Sequence, residues 1–129
     1  MSDWLGMIVP RALLQKRKPP RISLATPDPE DAERIEELKQ RGSRMRLPHP
    51  VRSFLSCPNE KAANEASDAL RQEGHRCRLR AEQDGSWTVI AIMHMVPNKG
   101  AITYLREEMT RTGRSVGGSY LGWESSTVL

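Results

Sequence analysis

Three histidines (His49, His75, His94) and two cysteines (Cys57, Cys77) are the side chains best suited to ligate a metal or attack an electrophile. Their spacing supports neither use. No two histidines are spaced as metal ligands, and the cysteines are 20 residues apart, far from the close pairs of a zinc site. A Cys–His nucleophile also needs an orienting third group and a cleft, and the sequence points to neither. His49 lies between Pro48 and Pro50 in what reads as a linker. His75 follows Gly74, which reads as a helix cap. His94 falls in a predicted central strand, as a hydrogen-bonded sheet residue rather than a base. Glu107 and Glu108 fall on the polar side of a predicted helix, where a solvated face explains them. Gly117-Gly118 is not followed by a helix, so it is no phosphate loop. The expectation is a chain without catalytic residues, metal or cofactor.

One pattern of charges stands out. In "HRCRLRAE", Arg76, Arg78 and Arg80 alternate with Cys77, Leu79 and Ala81. As a strand, this places the three guanidiniums on one face, about 6–7 Å apart. Two roles fit: a charged border that deters sheet-to-sheet aggregation, or an anion-binding surface for RNA phosphates or acidic side chains. Sequence-specific readers of single-stranded RNA also stack bases on aromatics of the central strands. "WTVIAIMHM" lacks the Gly-aromatic-Gly-aromatic run of such readers, and only Phe54 offers a ring on the first strand.

The elements that carry these residues are legible from period and punctuation. Residues 19–29 hold four of the nine prolines and read as a linker. "PEDAERIEELKQRG" reads as a helix, acidic at its start and basic at its end, with Ala32, Ile35 and Leu38 as a thin apolar stripe. "VRSFLSC" reads as a strand. "PNEKAANEASDALRQEG" reads as a helix whose alanines allow close approach to a sheet. The arginine strand follows, then a turn at Asp84-Gly85. "WTVIAIMHMV" is apolar on both faces and should be central. "NKGAITYLREEMTRTG" is a second helix with Ile102, Leu105 and Met109 as its stripe. "RSVGGSYLGWE" is the last strand, and strict alternation would put Tyr120 and Trp123 on opposite faces. Gly117-Gly118 would open that strand with a bulge or sharp twist.

Strand, helix, strand, strand, helix, strand with right-handed crossovers is a ferredoxin-like βαββαβ sandwich of class α+β. It has a four-stranded antiparallel sheet with two helices on one face, here with an added N-terminal helix. The expected organisation is an extension over 1–29, an appended helix over 30–47 and the ferredoxin-fold domain over 48–125. Two cysteines make no disulfide framework and are expected as reduced, partly buried thiols. Net charge is +4, with +3 falling in residues 1–47, which could favour an acidic surface or RNA without requiring either. The first residues have neither the order of a signal peptide nor the apolar length of a membrane span. Trp4 to Leu14, followed by Lys16, Arg17 and Lys18, reads as a frayed or partner-docked tail rather than an amphipathic anchor. A cytoplasmic protein is the expectation, and the sequence leaves its oligomeric state open.

From Pro50 to Glu124 the chain resembles the RraB family of ribonuclease E regulators. Pro58, Glu60, Ala62 and Ala63 match its "P-x-E-x-A-A". Leu70-Arg71-Gln72-Glu73-Gly74 and Met95-Val96-Pro97 follow in order. The ending "G-G-x-Y-x-G-W" is Gly117, Gly118, Tyr120, Gly122 and Trp123. Leu121 stands where members usually carry an acidic residue, and this chain is basic where inhibitory members are acidic. The resemblance implies the ferredoxin-like fold and a non-catalytic role, binding ribonuclease E and restraining RNA cleavage. Candidate partner- or RNA-binding residues are Arg76, Arg78, Arg80, Tyr120 and Trp123.

Overall fold

The structure, a computed structural model, describes residues 21–129. The expected tail from Trp4 to Lys18 lies outside the described residues. Helix α1 (Pro29–Gln40) precedes strand β1 (His49–Cys57), helix α2 (Glu60–Gln72) and the pair β2 (Arg76–Ala81) and β3 (Trp87–Met95). Helix α3 (Lys99–Ser115) and strand β4 (Ser119–Ser125) complete the chain. The sheet order is β2-β3-β1-β4, and every neighbouring pair is antiparallel. This is the ferredoxin-like α+β arrangement, and the two strands apolar on both faces, β1 and β3, are its centre.

Local chemistry sets the element boundaries. Asp28, Asn59 and Asn98 each stand at a helix N-cap and accept a backbone N–H, from Glu30 (2.9 Å), Ala62 (2.8 Å) and Ala101 (2.8 Å). Strand β1 alternates strictly. His49, Val51, Ser53, Leu55 and Cys57 are buried toward the helices, and the residues between them are half-buried on the opposite face. Ala62, Ala63 and Ala66 of α2 are small enough to bring that helix close to the sheet. The core is aliphatic, as the scarcity of aromatics predicts: Leu55, Leu70, Ile102, Leu105 and Met109 are almost wholly buried. Each such side chain contributes about 1.5–3 kcal/mol of burial free energy.

His75 follows the capping Gly74 as expected, while His49 and His94 differ from expectation. His49 is the first residue of β1, not linker, and is fully buried. Its Nδ1 lies 2.7 Å from the Leu47 carbonyl and its Nε2 2.5 Å from Ser43 Oγ, which itself accepts the Val128 N–H at 2.9 Å. A proton on Nδ1 makes the chain consistent: His49 donates to Leu47, and Ser43 donates to His49. This polar thread ties the lead-in to β1 onto the last residues, and Arg44 N–H donates to Val128 C=O (2.7 Å) beside it. His75 is buried against Glu108, with Nε2 2.6 Å from Oε1. Glu108 is therefore no solvated residue; it is 3% exposed. It follows Leu105 by three and adjoins Met109, so it rides the apolar stripe of α3. His94 is exposed, and its side chain makes no hydrogen bond among the described residues.

Candidate functional site

Strand β4 holds the distinctive C-terminal run, and its geometry departs from simple alternation. Phe54 pairs with Gly122 but Leu55 pairs with Tyr120, so one extra residue, Leu121, is accommodated there. The bulge sits at Leu121-Gly122, not at Gly117-Gly118. Gly122 has φ +115°, a conformation closed to most side chains. Gly118 is needed for closeness instead: a Cβ there would stand 2.5 Å from the Ser56 carbonyl oxygen. The bulge shifts the phase by one, so Tyr120 and Trp123 both face the helices and Leu121 is turned outward, 61% exposed. The expectation of opposite faces fails for this reason.

Tyr120 and Trp123 meet a buried ionic centre. Asp31 of α1 is 1% exposed. Its carboxylate accepts two hydrogen bonds from Arg106 of α3, Nε at 2.7 Å and an Nη at 2.9 Å, and a third from Trp123 Nε1 at 3.1 Å. Arg106 also lies 3.4 Å from Asp28, and its guanidinium carbon stands 5.3 Å from the centre of the Tyr120 ring. The Asp31 carboxylate holds the Arg106 guanidinium above its usual pKa. Burial, then the Asp31 charge, pushes the Tyr120 phenol well above its ordinary value. Its hydroxyl and that of Ser53 are both buried without a well-formed hydrogen bond among the described residues. Three elements distant in sequence, α1, α3 and β4, are thus fastened at one point. Neither Asp31 nor Arg106 is among the expected site residues. A signal was present: Asp31 lies four before Ile35 and seven before Leu38, in phase with the apolar stripe of its helix.

A second ionic cluster, partly exposed, fastens the segment ahead of α1. Arg21 approaches Glu108 (3.6 Å) and Glu73 (3.1 Å), donates to the Glu73 carbonyl and stands over the Tyr104 ring (5.9 Å). Ser23 N–H donates to Gly100 C=O at 3.0 Å.

The arginine row lies at the opposite edge. Arg76, Arg78 and Arg80 are all exposed, and their cross-strand partners on β3 are Ile92, Ile90 and Thr88. Those pair in turn with Arg52, Phe54 and Ser56 of β1. All of these side chains share the sheet face that the helices leave open, since the opposite parity supplies the core. Arg80 meets Glu82 (2.7 Å), and Arg52 meets Glu124 (3.1 Å). The hydrogen bond from Arg80, then that from Thr88, lowers the Glu82 pKa. Arg76 and Arg78 have no carboxylate partner among the described residues. The arginines and the two β4 aromatics therefore do not converge: they occupy opposite edges and opposite faces. Cys57 and Cys77 are free thiols on β1 and β2, with β3 between them, and burial raises both pKa values.

No helix among the described residues is long and apolar enough to cross a membrane. No curated protein matches the chain. Residues 28–125, from the cap of α1 to the end of β4, match the family model described as RraB, regulator of ribonuclease activity B, and the chain belongs to that family.

Proposed function

We propose that this protein is a non-catalytic regulator of RNA turnover that acts by direct contact with ribonuclease E or a related nuclease assembly. The observation that carries the reading is the family match, which spans α1, the whole sheet and the other two helices. The ionisable groups of the interior suit it: Asp31 is held by Arg106 and Trp123, and Glu108 by His75 and Arg21, so these groups join elements to one another. In this reading the chain acts in the cytoplasm and needs no cofactor.

The arginine row supports a second reading, RNA binding at the sheet edge, because Arg76 and Arg78 are exposed and have no carboxylate partner among the described residues. One experiment separates the two. The full chain is titrated into purified ribonuclease E, with and without a single-stranded RNA substrate, while complex formation and cleavage rate are followed. The regulator reading expects a protein complex without RNA and a changed cleavage rate. Absence of a complex, together with salt-sensitive binding of the chain to RNA alone, would replace it with the second reading.

A further inference from the structure

The face of the sheet turned away from α1, α2 and α3 has a defined composition. Its centre is aliphatic with one ring: Phe54 on β1 beside Ile90 on β3, and Ile92 next in line, all half-buried. Leu121, turned outward by the bulge, adds an exposed apolar side chain at the β4 side. The β2 side is bounded by Arg76, Arg78 and Arg80. Glu82 is engaged by Arg80 and Glu124 by Arg52, and Arg76 and Arg78 have no carboxylate partner among the described residues, so two positive charges stand beside an apolar floor.

We infer that this face docks an acidic, apolar-sided segment of a partner protein. Charge complementarity selects the occupant. A second copy placed face to face brings another positively charged face, whose acids Glu82 and Glu124 are already engaged by Arg80 and Arg52. The first 20 residues of the chain carry Arg11, Lys16, Arg17 and Lys18 against Asp3, the same sign as the face. Single-stranded RNA matches the charge but needs rings to stack on, and on this face the central strands present one, Phe54, since Trp87 is turned to the core side. A protein segment with carboxylates along one side and aliphatic groups along the other satisfies both features. Acids facing Arg76 and Arg78 form charge-assisted bonds at the rim, while apolar groups cover Phe54, Ile90 and Ile92. The inference rests on the reading of the chain as a regulator that works through protein contact, and it names the chemistry of that contact.

The test uses the isotopically labelled full chain and nuclear magnetic resonance. The probes are a synthetic peptide of about 12 residues alternating glutamate with leucine, long enough to cross four strands, its glutamine-for-glutamate counterpart, and an oligouridylate. The glutamate peptide is expected to shift signals of Arg76, Arg78, Ile90, Ile92 and Phe54. R76E/R78E should weaken it at least about tenfold, R76K/R78K should retain it, and the glutamine peptide should bind weakly. No shifts, shifts confined to the helix side, or tighter binding of oligouridylate on the same face would overturn the inference. A parallel titration with ribonuclease E separates the two claims. If ribonuclease E does not bind while the glutamate peptide does, the regulator reading falls and the face stands. If ribonuclease E binds R76E/R78E as tightly as the original chain, the face falls and the regulator reading stands.

Discussion

The two edges of this sheet use charge in opposite ways. At the β4 edge a carboxylate is buried among an arginine and two aromatic rings, and Asp31 accepts hydrogen bonds from both Arg106 and Trp123. At the β2 edge three arginines stand in solvent, and two of them face only isoleucines across the strand gap. The first arrangement is costly to disturb, because a buried charge that loses its partner is left unsolvated. The second has little influence on folding, because exposed charges are screened by water. The difference explains why the residues most distinctive in the sequence are builders of the domain, while a plain alternation of arginines stands exposed to solvent.

The comparison can be broken by substitution. Asp31→Ala leaves Arg106 and Trp123 Nε1 without their acceptor. It should lower stability by about 2–4 kcal/mol, toward the smaller figure because the Arg106 side chain is 29% exposed. Denaturant unfolding measures this, and a loss below 1 kcal/mol would remove the ionic centre from the account. Trp123→Phe keeps an aromatic ring but loses the N–H and part of the buried indole volume, and should cost about 2 kcal/mol. Arg76→Ala with Arg78→Ala should change stability by no more than about 0.5 kcal/mol. A larger loss would make the β2 edge structural after all.

Tyr120→Phe gives the smallest effect at neutral pH, since the hydroxyl it removes has no well-formed hydrogen bond among the described residues. Its consequence lies at high pH. Folding raises the Tyr120 pKa, so the contribution is fully present below the unfolded value near pH 10 and is lost as pH rises above it. The original chain should lose stability above about pH 10, and Tyr120→Phe should flatten that limb. Identical alkaline limbs would show that the phenol is not held in the interior.

Hydrophobic period, prolines and caps made the order of elements readable, because each strand or helix announces its buried side through its own residues. The succession of elements makes the last strand readable as well. What escaped depended on contacts between distant segments. Nothing near Asp31 in sequence names Arg106 or Trp123 as its partners, 75 and 92 residues away. His49 between two prolines resembles linker until Ser43, Leu47 and Val128 converge around it. The phase of β4 was misread because alternation assumes an unbroken strand, and one bulge at Leu121-Gly122 brings Tyr120 and Trp123 to the same side. The arginine row was read correctly as one exposed face, but its setting beside Phe54, Ile90 and Ile92 follows only from register.

The most direct test is the affinity of purified ribonuclease E for the original chain and for R76E/R78E, both first shown to melt at the same temperature. The account predicts equal melting and an affinity at least about tenfold weaker for the variant. Equal affinity would contradict it and move the contact away from the open face of the sheet.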